Sequence, residues 1–436
     1  MKTVKNSNIS LYVSIIAFTL FFPGMVNTFG LLFEQGLTIL LFFISFFFIC
    51  IYRSTITKNT LHTSFLIYAY FQFAIVVSLF RSTDIIITGD LVEIVKPLYL
   101  YLFFILPFCF IRRVEDIYIV VKYLMLFCVI LSIYGIIEAW TSFGYKISTL
   151  LYKPDRSVLK NKAVASFIIT YTFASFLVLP FFYFLTRYIV RKSYINKELI
   201  LSLVILICVF STQSKTVFIS LIVTLSLYFI FCLKYKFTVN KRKLTIILFS
   251  LVILLLVGVS VLASLLSTHF AYIYNGLEVV FITLMDKGFA QALYSTPSIS
   301  LRIEQFEFAL EAQDSIPLIG VAIGKAVLMP ESLYALYLYR AGTIGIFIHL
   351  SMVVYLFFSA KKCAKFFSKD NDKTMYCWFI AVHFYALSLP LSYFSSAVND
   401  QTRTGFIFYF LLASTIFVRN IIRNHARTNF YRNASI

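Results

Sequence analysis

Residues 31–52, LLFEQGLTILLFFISFFFICIY, contain a single charged side chain, Glu34, in an otherwise largely apolar run. A bilayer core about 30 Å thick needs roughly 20 apolar residues per helix, so this stretch predicts a transmembrane helix. The rest of the chain has the same character, because 60% of its 436 residues are hydrophobic and only 13% are charged. Such a composition cannot form a water-soluble surface, and it predicts a membrane protein.

Twelve runs of this kind predict an all-α, polytopic integral membrane protein with about 12 transmembrane helices. No small-residue cleavage site follows the first run, so we expect a retained helix and not a signal peptide. No internal repeat or low-complexity linker divides the chain, and residues 1–436 are predicted to form a single membrane domain. The runs cover residues 9–25, 31–52, 61–80, 95–111, 115–137, 163–186, 198–211, 216–233, 244–263, 341–360, 374–394 and 404–418.

The net charge of +19 is distributed unevenly along the chain. If the N-terminus lies inside, the cytoplasmic segments contain 25 of the 38 Lys and Arg residues but only 5 of the 19 Asp and Glu residues. This asymmetry follows the positive-inside rule, and it predicts that both termini are cytoplasmic. Because the basic residues are explained by topology, the charge does not indicate a nucleic-acid partner.

The seven cysteines and five histidines predict neither a disulfide framework nor a metal site. All of the cysteines lie in predicted helices or near their cytoplasmic ends, where a small apolar packing role is expected. The histidines are scattered, and no pair of Cys or His residues has the spacing of zinc ligands.

Three predicted external segments, residues 81–94, 138–162 and 264–340, are longer than a turn requires. The last of them has 77 residues, and loops of that length are usually functional. Within it, residues 300–314 have the pattern of an amphipathic helix.

The predicted helix at 300–314 carries an apolar stripe with an acidic face beside it. Arg302 lies at the other edge of the stripe, and neither of the residues three and four positions further on is acidic, so we expect no protein acid to neutralise it. Two interpretations are open. The helix lies on the outer leaflet with Arg302 at a lipid phosphate, or it covers a membrane cavity with Arg302 as the ligand of an anion. The stripe consists of Ile303, Phe306 and Leu310, and the acidic face of Glu304, Glu307 and Glu311.

Two predicted helices are short for a bilayer. The helix from Glu198 to Lys215 spans about 26 Å at 1.5 Å per residue, which places the polar run at 211–216 at or below the outer membrane surface. The apolar part of the last helix is also short, so that Asn399, Asp400 and Arg403 are drawn inward. Considered singly, each basic residue could lie below the membrane surface and extend its aliphatic side chain so that the charged group reaches water. Together, the two short helices predict a shared polar cavity open to the outside.

The external segment 138–162 is rich in basic residues and breaks the positive-inside pattern. A basic patch at this position suits an anionic ligand, or else a solvated surface that faces acidic lipid headgroups. The basic residues are Lys146, Lys153, Arg156, Lys160 and Lys162, and the acidic ones are Glu138 and Asp155.

Four stretches together resemble one family of membrane enzymes. STQSKT at 211–216 is similar to a short polar motif between two helices, with Lys215 in place of the usual arginine. LRIEQFEFALEAQDSIPLIGVAIG at 301–324 and PESLYALYLYRAGTIG at 330–345 are similar to a loop signature and to the membrane entry after it. DRSVLKNKAVASF at 155–167 is a fainter match that lacks a glycine. The family is that of the O-antigen polymerases and ligases, which act on undecaprenyl-diphosphate sugars.

The resemblance implies a fold like that of the GT-C glycosyltransferases, and a location in the bacterial cytoplasmic (inner) membrane. It also implies an active site that faces the periplasm. There, the growing polysaccharide would be transferred from its undecaprenyl diphosphate to the next lipid-linked repeat. The other partners that it implies are membrane lipids and, as a candidate, a chain-length regulator protein.

Cations are expected to stabilise the departing diphosphate. The resemblance assigns this role to Arg302 and Lys215, joined by Arg156, Arg340 or Arg403. No acidic pair with divalent-metal spacing adjoins these positions, so we expect no metal and no cofactor.

The acceptor hydroxyl needs a base, for which Glu331 is the first candidate and Asp400 the second. Because Glu331 follows a proline, a role at the start of a helix stays open as the alternative. Glu331 also stands where the family's ligases have a histidine, which favours a polymerase over a ligase.

Two other functions remain open. A ligase would use the same donor with a lipid A-core acceptor. A polysaccharide flippase or another transporter would need a charged path through the membrane, often with inverted repeats. The chain shows no repeat, and apart from Lys122, near an inner helix end, no charge is expected at mid-membrane.

Overall fold

The protein is helical, without strands, in the parts of the chain that the computed structural model describes. These are residues 2–30, 32–81, 88–156, 159–190, 197–234, 297–313, 318–321, 331–369 and 372–434, with single positions between 279 and 291. The α-helices are α1 Lys2–Phe21, α2 Val26–Phe29, α3 Leu32–Ile51, α4 Lys58–Arg81, α5 Thr88–Phe110, α6 Val114–Trp140, α7 Ser142–Leu151, α8 Thr170–Val190, α9 Lys197–Ser211, α10 Lys215–Lys234, α11 Pro297–Glu311, α12 Leu333–Lys369, α13 Lys373–Ser392 and α14 Thr402–Ala434. Short 3₁₀ helices, Ala165–Phe167 and Val398–Asp400, precede α8 and α14.

Nine helices in the described ranges are long and apolar enough to cross a membrane, which makes the chain a polytopic membrane protein. They are α3, α4, α5, α6, α8, α10, α12, α13 and α14. Of the other predicted runs, the first is a shorter apolar helix, Asn8–Phe21, and the seventh is the 15-residue α9. The run at 244–263 lies outside the described residues.

Helix α8 lies at the centre of the bundle, packed against α9 and α13, and α13 in turn packs against α12. In the apolar part of α8, 94% of the residues are buried, compared with 22% of the residues in the apolar part of α3. Both helices are apolar on all sides, as expected for a helix that is surrounded either by protein or by lipid. Helix α3 therefore belongs to the rim of the bundle, and α8 to its core.

One end of the bundle gathers the connections after α1, α6, α9 and α13, and we call it the site end. Backbone hydrogen bonds join these connections, such as Met25 N to Leu151 O at 2.8 Å and Ala163 N to Ser211 O at 2.8 Å. A third bond runs from Ala397 N to Glu331 O at 2.9 Å. The charge distribution along the chain predicts that this end is the external one.

Helix α12 is interrupted at Gly342, where φ is 67° and ψ is −171°. Residues 318–321 cross the chain at this point, and a Cβ atom on Gly342 would overlap the backbone of Leu318. The carbonyls that the break releases find other donors. Val321 N donates to Tyr339 O at 2.9 Å, and Ser78 Oγ donates to Arg340 O at 2.7 Å. Because these carbonyls are hydrogen-bonded, the break in α12 leaves neither of them unsatisfied inside the bundle.

Two predicted helix boundaries are wrong. The run at 163–186 does not begin as an α-helix, because Ala165 and Ile168 have positive φ values of 48° and 65° and α8 starts only at Thr170. The run at 341–360 belongs to a helix that starts at Leu333, before the break. In both cases apolar residues continue past the helix start, so hydropathy alone could not locate it.

Candidate functional site

The predicted site residues fall into separate groups at the site end. Arg302 and Glu331 contact each other, Lys215 lies beside a buried polar turn, and Asp400 and Arg340 share an ion network. Arg403 has its own acidic partner. Arg156 is exposed, and its backbone amide donates to Pro154 O at 3.0 Å.

The first group joins α11, α12 and α8. An Arg302 Nη2 atom forms an ion pair with Glu331 Oε2. Gln305 Oε1 accepts from Arg302 Nη1 at 3.3 Å and from the backbone N of Glu331 at 3.1 Å. The hydroxyl of Tyr171, at the start of α8, donates to Glu331 Oε2 at 3.3 Å. The side chain of Arg302 is 17% exposed and that of Glu331 is 45% exposed, so the pair is accessible from outside the protein.

The expectation that no protein acid neutralises Arg302 is wrong. Its partner, Glu331, lies 29 residues further along the chain, at the start of the next described helix. The helical spacing argument covers only neighbours three and four positions away, so it could not detect this contact.

The predicted helix exists as α11, and two residues of its apolar stripe are exposed, Phe306 to 40% and Leu310 to 49%. Its protein-facing side contains Gln305 and Ala309, which are buried. The ring of Phe308 stacks on Tyr339 of α12 with 5.5 Å between their centroids. Helix α11 thus presents polar Arg302 and Gln305 to the protein, together with Phe308 and Ala309.

The second group surrounds the turn between α9 and α10. Ser211, Thr212 and Gln213 are buried, as the short helix predicts for a polar turn that lines protein. Gln213 Nε2 donates to Asn161 O at 3.1 Å, and this bond fixes the turn against the segment before α8. Lys215 follows as the first residue of α10.

Lys162 is a site residue that the sequence analysis counted only as part of the basic loop. Its side chain is buried, and it lies close enough to Lys215 for the two charges to interact. Burial, together with the Lys215 charge, lowers the pKa of Lys162. An anion placed between the two ammonium groups would oppose both effects.

A fully buried ion pair organises this segment. Lys153 Nζ lies 2.8 Å from Glu138 Oε1, and both side chains are inaccessible to solvent. Glu138 Oε2 accepts from the backbone N atoms of Val164 and Ala165 at 2.9 and 2.7 Å. Lys153 Nζ donates to the carbonyl of Lys162 at 3.1 Å. Lys153 was predicted to belong to the basic patch of residues 138–162. Its ammonium group instead contacts Glu138 and the Lys162 carbonyl, and so it stabilises the loop that carries Lys162.

The third group is a buried network of two acids and two bases. Lys96 Nζ lies 2.6 Å from Glu93 Oε2 and 2.7 Å from Asp400 Oδ2, and Arg340 Nη1 lies 2.6 Å from Glu93 Oε2. The hydroxyl of Tyr337 donates to Asp400 Oδ1 at 3.1 Å. Asp400, the second candidate base, is thus already neutralised by protein cations. The sequence analysis placed no role on Glu93 and Lys96.

Arg403 forms the fourth group. Its Nη1 pairs with a carboxylate oxygen of Glu34, and its Nη2 donates to Phe22 O at 2.7 Å. A hydrogen bond of 2.6 Å between the hydroxyls of Thr38 and Thr402 adds a second link between α3 and α14. Asn399, Asp400 and Arg403 are buried, and their side-chain contacts in the described parts of the chain are internal. Their depth in a membrane and the cavity shared with Lys215 stay predictions.

No three His, Cys, Asp or Glu residues in the described ranges are arranged to hold a metal ion. Comparison of the chain with protein-family models, with curated proteins and with solved structures gave no match.

Proposed function

We propose that this chain is a membrane glycosyltransferase that joins undecaprenyl-diphosphate-linked oligosaccharide repeats into O-antigen or a related surface polysaccharide. The observation that carries the proposal is the accessible ion pair of Arg302 and Glu331. It combines a phosphate ligand with a candidate base at the end of the bundle that the charge distribution places outside.

The ion pair is interpreted as the resting state of the site. A phosphate of the donor replaces the Glu331 carboxylate at the Arg302 guanidinium, whose fork geometry suits both groups. Glu331 is thereby released towards the acceptor sugar. Lys215 and Lys162 add positive charge at the polar turn, where a second phosphate oxygen would be bound.

The proposed transfer is a direct displacement at the sugar C1 of the donor. The Glu331 carboxylate takes the proton of the acceptor hydroxyl, and the hydroxyl oxygen forms a bond to the sugar C1 of the donor chain. The bond between C1 and the diphosphate oxygen breaks, and undecaprenyl diphosphate leaves with the electron pair. Arg302 and the two lysines stabilise the charge that develops on the leaving group.

Three predicted site residues take structural roles in this proposal. Asp400 and Arg340 belong to a buried ion network, and Arg403 is paired with Glu34. Because removing one partner from a buried pair is strongly destabilising, these residues are expected to hold helices together and not to bind the donor. Arg156 is exposed and stays a candidate for an outer phosphate contact.

The proposed location is the bacterial inner membrane, with both termini cytoplasmic and the site facing the periplasm. The proposed partners are the lipid-linked repeat, membrane lipids and a chain-length regulator, with no metal or other cofactor. Cysteine labelling tests the orientation. A cysteine at the exposed position Leu150 should react with an impermeant thiol reagent in spheroplasts, and one at Ser368 should not. The reverse labelling would place the site in the cytoplasm.

The lipopolysaccharide of a deletion strain tests the function. A polymerase predicts a single repeat on the lipid A-core, because ligation continues without polymerisation. Unmodified core with stored lipid-linked polymer would indicate a ligase instead. Unpolymerised repeats retained on the cytoplasmic side would indicate a flippase.

A further inference from the structure

The side chain of Gln305 links both members of the accessible ion pair. It is buried, and its single carbonyl oxygen, Oε1, accepts from the Arg302 guanidinium at 3.3 Å and from the Glu331 backbone N at 3.1 Å. One acceptor atom therefore connects the Arg302 side chain on α11 to the backbone of Glu331, just before α12. From the sequence, Gln305 was significant only as an uncharged position three residues after Arg302.

This link differs from the ion pair in what happens when a donor binds. A phosphate that replaces the Glu331 carboxylate at Arg302 removes the direct contact between the two side chains. The two hydrogen bonds to Gln305 Oε1 do not involve that carboxylate. They therefore persist, and they keep the backbone of Glu331 at a fixed position relative to the guanidinium.

We propose that Gln305 is a positioning residue, which maintains the geometry between the phosphate ligand Arg302 and the base Glu331 while the ion pair is open. This inference rests on the proposed function, because it needs a donor phosphate at Arg302. Since proton transfer and attack require the reacting groups to be correctly placed, the residue should affect turnover more than donor binding.

Gln313 offers a matched control on the same helix pair. It is also buried, and its Nε2 donates to Leu338 O at 3.0 Å, so it too ties the α11 segment to α12. It touches neither Arg302 nor Glu331 in the described contacts. A loss that comes only from weakening the packing of α11 should be the same for alanine variants at both positions.

The test uses the purified full chain in lipid nanodiscs. Turnover is measured with the lipid-linked oligosaccharide repeat isolated from a strain that lacks both this protein and the ligase, and headgroup affinity is measured with undecaprenyl diphosphate. Gln305→Ala should lower kcat by about 10- to 100-fold, with a much smaller change in affinity for undecaprenyl diphosphate. Gln313→Ala should leave both quantities near the wild-type values.

Gln305→Glu is the second variant, because it keeps acceptor oxygens for the Glu331 amide and adds a carboxylate beside Arg302. It should recover much of kcat but weaken undecaprenyl diphosphate binding, since the new charge competes for the guanidinium. If Gln305→Ala is not recovered from the membrane, the test depends on Gln305→Glu, in which kcat should be largely kept while the affinity for undecaprenyl diphosphate falls. A large loss of kcat in Gln305→Glu, with unchanged affinity for undecaprenyl diphosphate, would then overturn the positioning role.

Equal behaviour of Gln305→Ala and Gln313→Ala would also overturn it, and would leave Gln305 as a packing contact. The proposed function is judged separately, by the wild-type chain and Arg302→Ala in the same assay. An inactive Arg302→Ala beside a fully active Gln305→Ala removes only the positioning role. A fully active Arg302→Ala removes the phosphate-binding role of Arg302 and, with it, the positioning role, whereas a wild-type chain without transfer activity removes the proposed function itself.

Discussion

Two of the arginine–glutamate pairs in the described residues lie at the same end of the bundle but differ in their surroundings. Arg340 and Glu93 are both nearly inaccessible, with 5% and 6% of their side chains exposed, and in the described contacts Lys96 and Asp400 extend the ion network around them. In the pair of Arg302 and Glu331, the carboxylate is 45% exposed. Its other side-chain contact in the described residues is the hydroxyl of Tyr171.

The difference lies in whether the partner of the arginine can be exchanged. An anion from outside would have to be fully desolvated to reach Arg340, and its arrival would leave Glu93 without a cation in a buried position. At Arg302 a phosphate can replace a carboxylate that remains solvated after release. The same chemical pair is therefore a structural element in one place and a candidate binding site in the other.

The largest effect is expected from breaking the buried pair. Arg340→Ala leaves two buried carboxylates with the single ammonium of Lys96, and should destabilise the fold by about 3–5 kcal/mol. The measurement is the apparent unfolding temperature of the purified chain in detergent. Arg302→Ala in the same assay should cost less than about 1 kcal/mol, because its partner is exposed. Equal losses of stability would mean that both pairs are structural.

The next largest effect is expected on activity at the accessible pair. Removing a charge-assisted contact to a departing phosphate costs about 3–4 kcal/mol, so Arg302→Ala should lower the transfer rate by about 10²–10³. Arg302→Lys should recover only part of the rate, because an ammonium cannot form the bidentate contact. Both variants should be inserted in the membrane at normal levels. Normal polymer length with Arg302→Ala would show that the ion pair is not a phosphate site.

A smaller loss is expected at the polar turn. Lys215→Ala should lower the transfer rate by an amount equivalent to about 1.5–3 kcal/mol, the usual range for a hydrogen bond to a charged group. Lys215→Arg should retain activity, since it keeps the charge and can contact a phosphate. The lipopolysaccharide ladder of the complemented deletion strain is the measurement. A full-length ladder with Lys215→Ala would indicate that this lysine only reaches the membrane surface.

The fold could be predicted well where one physical signal determines it. A bilayer demands apolar segments of a set length, and nine of the predicted runs are helices that meet this demand. The break at Gly342 could not be predicted, because residues 318–321 cause it and their position depends on tertiary packing. The start of α8 was missed for a similar reason. There, the carboxylate of Glu138 holds the backbone of Val164 and Ala165 outside the helix.

For the candidate site, residue types could be predicted but their partners could not. Arg302 and Glu331 were both identified, yet their contact spans 29 residues, and that of Arg340 with Glu93 spans 247. Helical periodicity relates only residues on one helix, so it cannot decide which charges meet. Gln305 and Lys162 were overlooked as individual site residues because their significance comes only from these partners.

The smallest effect is expected from changes to the acidic face of α11. These changes test whether α11 acts through the positive charge of Arg302 or through its own negative charges. Glu304 and Glu307 are exposed, on the side of the helix that faces away from the buried Gln305. Changing each to Gln removes a solvated charge, which usually alters stability by no more than about 0.5 kcal/mol. Transfer should proceed at nearly the wild-type rate in the assay used for Arg302→Ala. The opposite result, an active Arg302→Ala beside inactive glutamate variants, would mean that α11 is used in the reverse orientation. The acidic face would then bind the acceptor or supply the base, and the pair of Arg302 and Glu331 would join that of Arg340 and Glu93 as a structural element.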